Sequence, residues 1–250
     1  MHRRGWATGS LLATAGAALR DLTIGHRASW QTADSNRPGP GLARMLVGAP
    51  VHARLKFLWL NGVGLGDSGL NHLAVRGRFA ELDGLHIDND RFGAAALRAL
   101  GEGEFPALTR ASFSHDELDD AGLSALTDTP LMSRLERLDL SVNSVTAAGA
   151  TALALCGRTG KLKCLDLGFN AIGDEGAVAL ARSPNFTALE ELHLSGAHLT
   201  DAGADAVREA PWAERLKTLF LSYNAISKQK AAELTRHFGP VLSIQGDDED

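Results

Sequence analysis

The chain has 250 residues, of which 44% are hydrophobic and 22% charged, with a formal net charge of −5. That composition can build a core, and the charge is too small to imply a field toward nucleic acid or an anionic membrane. The two cysteines, Cys156 and Cys164, do not make a disulfide framework and fit a reducing compartment, and no apolar run reaches the ~18 residues of a spanning helix.

The chain opens with MHRRGWATGSLLATAGAAL, which imitates a secretion signal poorly because Thr8, Gly9, Ser10, Thr14 and Gly16 dilute the apolar run. A terminal helix or partial repeat is expected there instead. Leu19, Leu22 and Ile24 then begin a degenerate unit. QTADSNRPGPG, residues 31–41, reads as an inserted loop from its prolines and glycines.

From Leu55 one pattern, L-x-x-L-x-L-x-x-N-x-L, recurs with starts at Leu55, Leu82, Leu108, Leu135, Leu162, Leu189 and Leu216, separated by 27, 26, 27, 27, 27 and 27 residues. Self-similarity at such a period signals a stacked array. In each unit the fourth and sixth residues alternate with polar ones, as a short half-buried strand requires; Leu58/Leu60, Leu85/Ile87, Leu165/Leu167 and Leu219/Leu221 are examples. The Leu108 unit departs, with Ala111 and Phe113, a small and a large side chain sharing the space.

After each unit comes a residue suited to a helix N-cap: Gly66, Gly93, Asp119, Thr146, Gly173, Thr200 or Ser227. Asp67, Asp120, Asp174 and Asp201 follow and place a carboxylate against the helix dipole. Strand, turn, helix and return loop is long enough to join parallel strands. Strands stack at ~4.8 Å and helices at ~8–10 Å, so the helices take the outside of a curve. The expected fold is α/β: a right-handed βα horseshoe solenoid with parallel strands on its concave face. It divides into 1–54, a cap with one degenerate repeat and a Pro/Gly loop; 55–238, seven repeats; and 239–250, a half-strand at Val241, Leu242 and Ile244 with the acidic tail QGDDED.

These units resemble leucine-rich repeats of the ribonuclease-inhibitor-like subtype, on the leucine ladder, the turn, the glycine near the helix start and the period. Asn143, Asn170 and Asn224 keep that family's ninth-position asparagine, whereas Val63, Asp90, Asp116 and Ala197 do not, so a continuous amide ladder is not expected. GDEGAVALARSP and HFGPVLSI also resemble bacterial repeat proteins with a small companion domain, which implies a bacterial, cytoplasmic setting.

Residues at the third, fifth and seventh positions should face the groove, and those at the eighth sit just past the strand. Phe57, Trp59, His86, Arg110, Asp139, Asp166, Phe169, His193, Phe220 and Tyr223 are the candidate contacts for a partner protein, aromatic anchors among mixed charges. The plainer account is that a long array exposes some aromatics anyway. Asp139 and Asp166 fall side by side and could serve acid–base chemistry or bind a cation; with Arg137 and Lys163 near, a solvated charge ladder explains them as well. His86, His115, Asp88, Asp90 and Asp116 include metal-ligand types in no known ligand spacing, and no metal is expected. Cys164 should be exposed and Cys156 should close a helix, both inert. No phosphate loop, nucleophile elbow or H-E-x-x-H is present, and the groove positions lean acidic, against nucleic acid. The reading is a non-enzymatic protein-interaction module without cofactor or membrane contact. Its alternative is a regulator of a GTPase or other enzyme, suggested by the resemblance of the acidic tail to those of GTPase-activating repeat proteins.

Overall fold

The computed structural model describes residues 19–25, 39–49 and 53–244. Among these residues nine strands make one open parallel sheet in chain order: β1 (Asp21–Gly25), β2 (Phe57–Asn61), β3 (Gly84–Asp88), β4 (Arg110–Ser112), β5 (Arg137–Asp139), β6 (Cys164–Asp166), β7 (Glu191–His193), β8 (Thr218–Phe220) and β9 (Leu242–Ser243). Between them run the helices α1 (Gly39–Gly48), α2 (Gly66–Arg76), α3 (Ala94–Glu102), α4 (Asp120–Thr127), α5 (Ala147–Leu155), α6 (Gly173–Ala181), α7 (Asp201–Arg208) and α8 (Lys228–Phe238). The fold is a leucine-rich repeat solenoid, strands lining one face and helices the other.

One row of side chains crosses the whole sheet: Leu22, Leu58, Leu85, Ala111, Leu138, Leu165, Leu192, Leu219 and Leu242 are successive partners. The leucines from 58 to 219 are almost wholly buried, each worth ~1.5–3 kcal/mol of burial. Ala111 is the small member of that row; Phe113, two residues on and itself fully buried, meets Phe92 edge-on at 5.8 Å.

Chain reversal after each strand uses a conformation the side chains do not advertise. The eighth residue of all seven units is left-handed: Gly62 (φ 59), Asn89 (59), His115 (58), Val142 (56), Phe169 (54), Gly196 (60) and Tyr223 (59). Only two are glycine, and hydrogen bonds to the next repeat hold Asn89, His115, Val142 and Phe169 in a region costly for L-residues. Val142 N–H donates to Gly168 O at 2.8 Å and Phe169 N–H to Ser195 O at 2.7 Å.

The ninth position satisfies backbone groups between neighbouring repeats. Asn143 Oδ1 accepts from Asp116 N and Leu118 N, and its Nδ2 donates to Phe113 O and Leu140 O. Asn224 repeats the pattern, and Asn170 accepts from Val145 N and donates to Leu140 O and Leu167 O. At the two aspartates only the accepting half survives: Asp90 Oδ1 takes Leu65 N at 2.8 Å, and Asp116 Oδ1 takes Asp90 N at 2.5 Å and Arg91 N at 3.1 Å. Val63 and Ala197 contribute no side-chain polar group. The amide ladder is accordingly discontinuous.

Helix starts differ from the sequence expectation in two ways. Gly93, Asp119, Thr146, Thr200 and Ser227 are N-caps, but Gly66 and Gly173 are already the first helical residues, with φ 56 and 63. The following aspartates also do more than face their own helix dipole. Asp120 Oδ1 accepts from Thr146 N (2.8 Å) and Gly149 N (2.9 Å), and its Oδ2 from the Thr146 hydroxyl (2.7 Å). Asp174 does the same for Thr200 and Gly203; Asp201 binds Ser227, and Asp67 binds Gly93 N. Each carboxylate thus caps the next repeat's helix. The glycine near the helix start follows from this, since a Cβ at Gly149 or Gly203 would lie 2.5 or 2.4 Å from the capping oxygen.

At the amino end β1 pairs in register with β2. Gly39, Pro40 and Gly41, expected in a loop, form the first turn of α1, where proline's missing N–H and fixed φ are tolerated. The expected cap over residues 1–18, the rest of the Pro/Gly loop and QGDDED lie outside the described residues.

Candidate functional site

The strand face opposite the helices is hollowed over its middle. A cavity of about 720 Å³ runs across β2 to β7, and its walls include Phe57, His86, Arg110, Asp139, Asp166 and His193 among the ten expected contact residues. Period-two alternation puts these third- and fifth-position side chains on one face. Trp59, Phe169, Phe220 and Tyr223 are not part of that wall.

Trp59 is 47% exposed. It stacks on His86 at 5.0 Å, and its Nε1–H donates to Asp88 Oδ2 at 2.9 Å. Burial lowers the His86 pKa, opposed by Asp88 and Asp139 and assisted by Arg110; that imidazole favours the neutral form. Phe57 lies under the Arg110 guanidinium, 5.6 Å from ring centroid to Cζ. Phe169 and Tyr223, 52% and 62% exposed, approach each other at 6.0 Å. They do so beside Gly196, where a Cβ would come within 2.6 Å of the Phe169 ring. Phe220 is half-buried against His193, at 4.4 Å and nearly perpendicular, so it is a supported wall and not a free anchor.

The charges pair differently from the sequence expectation. Asp139 and Asp166 are register partners, yet neither binds Arg137 or Lys163. Lys163 bonds Glu136 at 2.8 Å, and Arg137 bonds Glu191, two strands away, at 2.8 Å. Asp139 accepts from Ser141 N and, at 3.3 Å, from the Ser112 hydroxyl. Asp166 Oδ1 accepts from Gly168 N, and its Oδ2 lies 3.0 Å from His193 Nδ1. With the carboxylate as acceptor, His193 donates from Nδ1, and Nε2 is the ring nitrogen not engaged by Asp166. His86 and His115 are not gathered with Asp90 and Asp116 into any group of converging metal-ligand atoms among the described residues.

Cys164 is a correction. The third-position side chain was expected to be exposed, but only 6% of its surface is, because the long side chains of Arg137 and Glu191 from the flanking strands lie beside it. Burial pushes the thiol up to about 12, with Arg137 acting in the opposite sense. Burial also works against charge on Glu191, but hydrogen bonds from Cys164 and Arg137 prevail and hold its carboxyl below the usual range. The approach of Cys164 to Glu191 is not visible in the sequence pattern by residue type, although one repeat separates them and adjacent strands follow from that spacing. Cys156, at the C-cap of α5, is buried and donates to Thr127 O at 3.3 Å.

A leucine-rich repeat family model matches residues 133–154, 161–181 and 187–207. The chain carries leucine-rich repeats. The three matched stretches centre on the Leu135, Leu162 and Leu189 units. No curated protein matches the chain. Solved structures with this architecture do, among them an internalin from Listeria monocytogenes with 18% identity and a TM-score of 0.50, covering 94% of this chain. The present repeats span 62% of that internalin chain, and at this identity the likeness is one of fold. No helix among the described residues is long and apolar enough to cross a membrane.

Proposed function

We propose that the array is a non-enzymatic interaction module that receives a partner protein on its concave face. One observation carries the reading: among the described residues the exposed aromatic side chains are Trp59, Phe169 and Tyr223, and all three border the strand face. Aromatic anchors on a rigid surface bind with little ordering cost. The mixed charges of Arg110, Asp139, Asp166 and His193 supply the polar complement between them. We read the repeats as the ribonuclease-inhibitor-like subtype because each carries a helix, and the three-part division 1–54, 55–238 and 239–250 as the working organisation. Two unpaired cysteines support a reducing, cytoplasmic setting, and the bacterial setting rests on the companion-domain resemblance alone. The GTPase-regulator alternative depends on the acidic tail, outside the described residues, and gains no observation of its own.

The test is affinity capture with mass spectrometry, comparing wild type with Trp59→Ala/Phe169→Ala/Tyr223→Ala after matching their circular dichroism and melting curves. The proposal expects at least one abundant protein to be lost from the triple variant. Recovery of the same proteins by both would sink it.

A further inference from the structure

The most concentrated chemistry on the strand face lies where β6 meets β7. Cys164 and Glu191 are register partners, and so are Asp166 and His193. Alternation places all four side chains on one side of the sheet. The sulfur of Cys164, a carboxylate oxygen of Glu191 and a ring nitrogen of His193 lie within 4.8 Å of one another. Zinc with S, N and O ligands at ~2.0–2.3 Å needs those atoms roughly 3.3–3.8 Å apart, so binding draws them together by at most about 1.5 Å.

We propose that Cys164, Glu191 and His193 form a zinc(II) site, with Asp166 as the residue that orients the histidine. The donor set selects the metal: thiolate with imidazole favours zinc over magnesium or calcium, which prefer all-oxygen shells. Asp166 holds the Nδ1 proton of His193 and leaves Nε2 as the ligand atom, the carboxylate–histidine arrangement that metal sites use to fix a tautomer. Glu191 keeps lone pairs for a metal while it accepts from Arg137, because a carboxylate has about four acceptor positions. On binding, the Zn–S bond forms and the Cys164 thiol proton leaves to solvent. Three protein ligands facing the cavity leave the fourth position to water or to a side chain of a bound partner. The site stands independently of the protein-binding reading, since its test involves no partner.

Untagged, metal-free protein is titrated with cobalt(II) as a spectroscopic stand-in for zinc, and zinc affinity is measured by competition and calorimetry. The expected result is one equivalent bound, with a thiolate-to-cobalt charge-transfer band and the intense visible bands of a four-coordinate ion. Cys164→Ser should abolish the charge-transfer band, and Cys156→Ser should leave it intact. Asp166→Asn should keep the band but weaken zinc binding roughly 10–100-fold, the range seen when such an orienting group is lost. His193→Gln, checked for native circular dichroism, should weaken it at least as much. Absence of a charge-transfer band in folded wild type at millimolar cobalt overturns the proposal, as does a band that survives in Cys164→Ser.

Discussion

Asp174 and Thr200 belong to different repeats, yet the carboxylate of the first accepts both the backbone N–H (2.8 Å) and the hydroxyl (2.6 Å) of the second. The helix start of one repeat is therefore completed by the repeat before it. Asp174→Ala should destabilise the array by ~1 kcal/mol, the usual scale of a lost cap, read as a lower urea midpoint at unchanged m-value. Asp201 plays the same part for Ser227, whose hydroxyl and N–H hold its carboxyl below the ordinary range. That contribution is present above about pH 4 and is lost as pH falls through the depressed value; Asp201→Asn should flatten this acid limb of the stability curve.

Val142 is β-branched at φ 56. Glycine there relieves a left-handed penalty of ~1–2 kcal/mol at the cost of some unfolded-chain entropy. Val142→Gly should raise stability by ~1 kcal/mol, seen as a higher melting temperature. An unchanged or lower value would show that the valine's contacts outweigh the strain.

Asp116 occupies an asparagine slot, and burial raises its pKa to about 8, with the hydrogen bonds from Asp90 N and Arg91 N working the other way. The folded state then binds more protons than the unfolded state between about pH 4 and 8, so stability falls as pH rises across that window. Asp116→Asn supplies the missing donor and removes the titration. It should be more stable than wild type at pH 8, and the difference should shrink toward pH 5 in parallel urea titrations.

Phe113 is a fully buried ring two residues beyond the small Ala111. Phe113→Ala should cost ~3–5 kcal/mol, as deletion of a buried aromatic does, and Phe113→Leu distinctly less. Thermal unfolding of the pair of variants measures the order; equal losses would mean that the ring's contact with Phe92, and not its volume, is what the site needs.

The period, the strand positions and the face of each side chain were legible because they follow from spacing alone. Leu58, Leu138 and Leu165 announce their burial by type, and Thr146, Thr200 and Ser227 announce helix starts. Three things were not legible, all set by neighbouring repeats. Val142 and Phe169 take a glycine-like conformation because carbonyls one repeat away hold their N–H groups. Asp120 looks like a first-turn residue of its own helix until Thr146 is seen above it. Cys164 reads as exposed until Arg137 and Glu191 are placed on either side of it, and the same omission hid its approach to His193.

The capping carboxylates do not run through the whole array. Residues Asp67, Asp120, Asp174 and Asp201 reach forward to Gly93, Thr146, Thr200 and Ser227, whereas the corresponding residues after Gly93 and Thr146 are Ala94 and Ala147. The repeats are mortared in blocks: Leu55 with Leu82, Leu108 with Leu135, and Leu162 with Leu189 and Leu216. Two joints lack a capping carboxylate, one between the Leu82 and Leu108 units and one between the Leu135 and Leu162 units, and side-chain bonds from Asp116 and Asn170 cross them at the strand end of the repeat. Under mechanical load or mild denaturant, the helix layer should part first at those two joints, where no carboxylate ties one helix start to the repeat before it, while the strand layer stays closed.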